Sequence, residues 1–224
     1  ALSIGDHWLV LAQMLEVRAR TSESERTQLF KRAESILCEH APDSEVLVEI
    51  QMELLRTDPA ERGVFERLIQ RFLATQEYEK LCNILDEFGT SLEDARLSAR
   101  HTEASQSMDL KIERYWRVRT MGGSLTEYWS TLSQLFISSE QWNRLQVLAT
   151  ESLETVESVS LESELLYSLG QCAQKLGGDP TGYWQKSLAL NGSTSVVKQL
   201  SDHFRHLGND TAIVELYAEY APEG

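Results

Sequence analysis

Two histidines three residues apart, His203 and His206, come nearest in this chain to a chemically useful spacing. On a helix they share a side with Asp202, with Asp210 close behind, and imidazole plus carboxylate is a donor set that zinc accepts. Zinc sites ordinarily present three or four ligands, and no third strong ligand stands nearby in the sequence. The pair therefore reads as one ring on an exposed face and one near a helix seam. Cys38 stands two residues before His40, but no third group is placed to orient the base of a thiolate–imidazole pair. No GxGxxG, GxxxxGK[ST], HExxH or GxSxG run occurs, so nucleotide cradling and the common hydrolase geometries have no support. No catalytic residue, metal or cofactor is expected, and the chain reads as a non-enzyme. One acidic stretch stands apart: Glu151, Glu154, Glu157, Glu162 and Glu164 fall among serines without any Lys or Arg, the usual signature of a solvated face.

The 224 residues are 42% hydrophobic and 25% charged, the composition of a folded protein. Lys and Arg number 21 against 35 Asp and Glu, a net charge of −14, which repels the phosphate backbone that dominates nucleic-acid affinity and also an anionic membrane surface. Neither is expected as a partner, and no uncharged apolar run of about 18 residues is present to span a bilayer. The same charge favours a basic partner segment over an acidic one. Cys38, Cys82 and Cys172 are odd in number and lack CxxC spacing, which points to buried thiols in a reducing, cytoplasmic setting. The opening ALSIGDHWLV has neither an initiator Met nor the order of a signal peptide, so the chain reads as a fragment or a processed product.

The elements that must position these residues are helices. Trp8, Leu11, Ala12 and Leu15 repeat at i, i+3, i+4 and i+7, as do Phe65, Leu68, Ile69 and Phe72, and no segment sustains strand alternation. The pattern predicts helices over 6–20, 24–40, 44–56, 60–75, 77–88, 92–106, 108–121, 124–138, 140–156, 159–176, 181–190, 193–207 and 209–220. Their links are short, so successive helices pack antiparallel. The helix pairs resemble one another. Phe65, Leu68, Phe72, Tyr78, Leu81 and Ile84 recur without a gap as Trp129, Leu132, Phe136, Trp142, Leu145 and Leu148. A third copy carries Val197, Leu200, Phe204, Ile213 and Leu216. Leu68, Leu132 and Leu200 are 64 and 68 positions apart, two periods of 32 and 34 each.

A helix–turn–helix unit of this period resembles the tetratricopeptide repeat. The resemblance is clearest at Leu169-Gly170, Gly177-Gly178-Asp179 and Tyr183-Trp184 through Asn191, and it covers 60–220 better than 1–59. It departs from the family where Leu81, Leu145 and Ile213 replace a small alanine, so those helices should splay. It implies an all-α, right-handed α-solenoid of antiparallel helix pairs. Residues 1–59 form a divergent repeat or cap, with 44–56 as the cap or connector helix. Residues 60–224 form the tetratricopeptide-like units 60–90, 92–122, 124–157, 159–191 and 193–221.

Such arrays bind partners on the concave face lined by each unit's first helix. By resemblance that face carries Gly63, Glu66, Gln70 and Leu73, then Glu127, Ser130, Gln134 and Ile137. It continues with Glu164, Tyr167, Gln171 and Gln174, and then with Lys198, Asp202, Arg205 and His206. Gln70, Gln134 and Gln171 occupy one equivalent position, where an amide can pair with a peptide main chain, although Gln is also a good solvated helix former. The expected function is a protein-interaction scaffold or adaptor within a multi-protein assembly, taking a basic or amphipathic segment of another protein. The alternatives are a helical-toroid enzyme and a regulatory or assembly segment of a larger protein.

Overall fold

The computed structural model describes residues 4–220, and among them all regular structure is helical. Thirteen α-helices follow in order: α1 (Ile4–Thr21), α2 (Arg26–His40), α3 (Glu45–Thr57), α4 (Arg62–Thr75), α5 (Tyr78–Phe88), α6 (Leu92–Arg100), α7 (Met108–Thr120), α8 (Leu125–Ser138), α9 (Trp142–Leu153), α10 (Val159–Lys175), α11 (Thr181–Leu190), α12 (Thr194–His206) and α13 (Asp210–Tyr220). They lie where the periodicity places them, with two segments shortened. The helix expected over 92–106 stops at Arg100, because His101 leaves the helix and stacks on Tyr78 with ring centroids 4.4 Å apart. A 3₁₀ turn, Thr102–Ala104, follows. The helix expected over 140–156 begins only at Trp142, because Glu140 takes a left-handed φ of 54°.

Five helix ends use one device. After α4, α7, α8, α10 and α12 a residue adopts positive φ: Gln76 (59°), Gly122 (89°), Glu140 (54°), Gly177 (80°) and Gly208 (68°). The next amide then reaches back to a carbonyl in the last turn: Glu77 to Phe72 at 3.0 Å, Gly123 to Val118 at 2.9 Å, Gln141 to Phe136 at 2.8 Å, Gly178 to Ala173 at 2.7 Å and Asn209 to Phe204 at 2.9 Å. This is the left-handed helix stop that satisfies orphan carbonyls and turns the chain back on itself. The starts of α3 and α6 are fixed by side chains. Ser44 accepts the Leu47 N–H at 3.2 Å, and Ser91 exchanges hydrogen bonds with Asp94 at the head of α6.

The helices form two compact units, residues 1–110 and 111–224, which part within the first turn of α7. In the first unit each helix from α1 to α6 packs on the next. One core runs from α1 to α5. Helix α3, expected as a cap or connector, packs on both α2 and α4 and buries Leu47, Ile50, Leu54 and Leu55. On α1 the apolar stripe is wider than the seam it fills: Ala12 is buried, Trp8 and Leu15 are half-buried, and Leu11 is exposed.

In the second unit α8 to α13 pack in succession, around Trp129, Leu132, Phe136 and Leu145 and then around Trp184, Leu188, Leu200 and Phe204. Helices α10 and α11 approach more closely than α8 and α9 do. The reason is side-chain size. Ser163 and Ser187 face each other across the α10–α11 seam, each hydroxyl donating to the other's carbonyl, at 3.0 and 2.8 Å. Gly170 leaves room for the fully buried Trp184 ring, whose Nε1–H donates to the Tyr167 carbonyl at 3.1 Å. At the corresponding seams of α4–α5 and α8–α9 the buried residues are Leu81 and Leu145.

Within each unit, polar contacts recur between residues about one repeat apart. Lys31 pairs with Glu61 (separation 30), Arg67 with Glu34 (33), Arg56 with Glu87 (31), Arg62 with Asp94 (32), Lys80 with Glu45 (35) and Arg119 with Glu151 (32). These contacts place α2 beside α4, α3 beside α5, α4 beside α6 and α7 beside α9. Most of these pairs are exposed and contribute little individually, so they report the stacking more than they cause it. Asp94 is the exception, with a side chain only 6% exposed. Burial alone would push its carboxyl up. Arg62, reaching both oxygens at 3.0 and 3.2 Å, together with Ser91 and the Thr90 N–H, outweighs that and holds it below the usual carboxylate range.

Two outcomes follow from this packing. A Cβ at position 170 would lie 2.2 Å from Trp184 Nε1 and 2.3 Å from Cδ1. Gly170→Ala should therefore cost about 1–3 kcal/mol of stability by overpacking, read as a lower urea midpoint with a changed Trp emission. An unchanged midpoint would contradict the close seam. For Asp94 the folded pKa lies below the unfolded value of about 3.9, so its contribution is full above that pH and is lost as pH falls through the folded pKa. Asp94→Asn should cost about 1–2 kcal/mol at pH 6, and the gap to wild type should close as the pH drops below about 4. A pH-independent gap would show that the charge is not what matters.

Candidate functional site

The expected first-helix face divides between the two units. Glu66 and Gln70 on α4 belong to the first unit, and both are exposed, Glu66 with the Arg62 guanidinium 3.7 Å away. The remaining residues belong to the second unit, where α8, α10 and α12 carry them. Glu127 serves its own helix: its carboxylate accepts the Ser124 N–H at 3.0 Å and caps the start of α8. Gln134 lies two turns further along α8 and is exposed.

On α10 and α12 the residues come together. Tyr167 is half-buried, and Gln171, one turn on, donates its amide N–H to the Tyr167 hydroxyl at 3.2 Å. Gln199 of α12 approaches the same hydroxyl from the neighbouring first helix, 32 residues along. Burial pushes the phenol above its ordinary pKa, against the pull of both amides, so Tyr167 is neutral and available as donor and acceptor at ordinary pH. Around this phenol–diamide cluster lie exposed Glu164, Gln174 and Lys198. Asp202 and Arg205 pair with each other at 2.7 Å, which neutralises part of the local charge. Gln199 was not among the residues expected here. Its only signal is a polar side chain one position before the buried seam residue Leu200, a place that two neighbouring first helices share.

The residues considered for chemistry are dispersed. His203 sits with Nε2 3.7 Å from Asp179 Oδ1 and lies edge-on to Trp184 at 6.0 Å, while His206 is exposed. Asp179 is held below the usual carboxylate range, first by Thr181 and then by His203. The described residues contain no group of three or more His, Cys, Asp or Glu able to hold a metal. Cys38 and His40 go separate ways: the thiol contacts Glu34 at 3.6 Å, and His40 stacks on Trp8 with centroids 4.1 Å apart. Burial, followed by the Glu34 charge, pushes the Cys38 thiol up, the opposite of what a nucleophile needs. Burial likewise pushes the Cys172 thiol up to about 11. All three cysteines are free thiols; Cys82 and Cys172 are buried as expected, whereas Cys38, near the end of α2, is exposed. Among the described residues no helix is long and apolar enough to cross a membrane.

A scan against protein-family models finds no match for this chain, and a search of curated proteins finds none either.

Proposed function

We propose that the chain is a non-catalytic interaction module: a right-handed, tetratricopeptide-like α-solenoid that takes a segment of a partner protein on its first-helix face, in a reducing compartment such as the cytoplasm. The observation that carries this reading is the Tyr167, Gln171 and Gln199 cluster. It joins two successive first helices one repeat apart and keeps hydrogen-bonding capacity at a half-buried surface. A phenol flanked by amides can accept main-chain N–H groups and donate to main-chain carbonyls, which suits an extended or helical peptide better than it suits a reacting substrate. The recurring polar contacts at separations of 30 to 35 residues support the repeat stacking that such a face requires. The net charge of −14 favours a basic or amphipathic segment and raises its rate of encounter at low salt.

The experiment is selection of peptides from a random display library on the whole chain, followed by titration of the winners. Peptides rich in Lys, Arg and apolar residues are expected. Their affinity should fall at least about tenfold, or 1.4 kcal/mol, on Gln134→Arg with Gln171→Arg, a pair that adds bulk and positive charge to the face while leaving the seams in place. Normal binding by that double variant, with its helical circular dichroism intact, would contradict the proposal.

A further inference from the structure

We propose that the edge of the second unit built by α7, α9 and α10 is a separate docking surface for an acidic segment of a partner protein. Cations and aromatic rings concentrate there. Arg119 lies over the Trp116 ring, 4.6 Å from its centroid, and Arg144 lies over the same ring at 5.8 Å and over Phe136 at 5.1 Å. Lys175 lies over Trp142 at 5.8 Å, and Trp116 meets Phe136 edge-on at 6.4 Å. Four of the six cation–ring contacts among the described residues fall at this edge, so the clustering is a property of the place and not of the chain at large.

The second observation is where the charges are left. Arg119 is paired with Glu151. Arg144 donates to the neutral Gln141 amide at 2.8 Å, and among the described residues no carboxylate lies within ion-pair reach of Arg144 or Lys175. In a chain with 35 acidic and 21 basic residues an intramolecular carboxylate is easy to come by. Two exposed cations without one, flanking Trp142 at the start of α9, are therefore a specific arrangement.

The geometry suits a carboxylate. A guanidinium over a ring can still donate in its plane, Arg144 through the N–H groups that Gln141 leaves over, and the ring contact holds a long side chain that would otherwise lose rotamer freedom on binding. Nucleic acid fits less well. Cations already lie over the indoles, which withdraws ring faces from base stacking, and the charge of −14 opposes a long polyanion. A short acidic segment meets the edge within a Debye length of about 8 Å and is spared most of that repulsion.

The test titrates a short peptide of alternating Glu and Tyr into the whole chain, followed by Trp fluorescence at low and high ionic strength, beside the same peptide with Gln in place of Glu. Saturable binding is expected for the Glu peptide, weakened at least about tenfold by the Gln replacement, by high salt, and by Arg144→Gln with Lys175→Gln. Gln134→Ala with Gln171→Ala should leave it unchanged, which separates this surface from the first-helix face. The proposal is overturned if the folded Arg144→Gln, Lys175→Gln variant binds as wild type does, or if a single-stranded oligonucleotide of equal charge binds as tightly. It is also overturned if the chain self-associates through this edge and excludes the peptide, since a second copy's 154–164 run would then be the occupant.

Discussion

The pairing of α4 with α5, α8 with α9, α10 with α11 and α12 with α13 depends on how the backbone turns between them. At each point one residue goes left-handed and the following amide caps the helix from behind, so the next helix is returned antiparallel onto the last. Glycine does this without strain at 177 and 208. Gln76 and Glu140 do it against a conformational cost of about 1–2 kcal/mol, which the buried seams of Phe72 with Leu81 and of Phe136 with Leu145 are large enough to offset. Once these returns are fixed, their seams follow.

That stacking sorts the side chains. Apolar anchors such as Leu68, Leu132 and Leu200 close the seams, and small residues set how near two helices come, as Gly170, Ser163 and Ser187 do for α10 and α11. The polar side chains on the remaining faces are then arranged in rows that no single helix contains. The Tyr167, Gln171 and Gln199 cluster is one such row, and the cation–ring edge at Trp116, Arg144, Trp142 and Lys175 is another. The two carry different chemistry, neutral amides and phenol on one and unpaired cations on the other, so they suit different partners.

The anchors were legible in the sequence because a seam position repeats its residue type: the gapless match of Phe65 through Ile84 with Trp129 through Leu148 returned as two pairs closed by the same left-handed stop. The stop itself was not legible at Gln76 and Glu140, since neither residue type announces positive φ. The end of α6 at Arg100 was hidden as well, because it is decided by His101 stacking on Tyr78, 23 positions away. The candidate faces were legible only in part. Tyr167 and Gln171 are neighbours on one helix, whereas Gln199, and the placement of Arg144 over Trp116, depend on helices about one repeat apart, a relation that a linear pattern of apolar residues does not encode.

Within a unit, helices stack about one period apart, and coupling of side chains that this stacking brings together tests it most directly. In the first unit Lys31 pairs with Glu61, and Lys80 lies 3.5 Å from Glu45. Zero-length carbodiimide coupling of the folded chain, read by mass spectrometry, should join Lys31 to Glu61 and Lys80 to Glu45. Coupling of Lys80 to its own-helix neighbour Glu77 alone, with neither cross-helix link formed, would contradict the stacking.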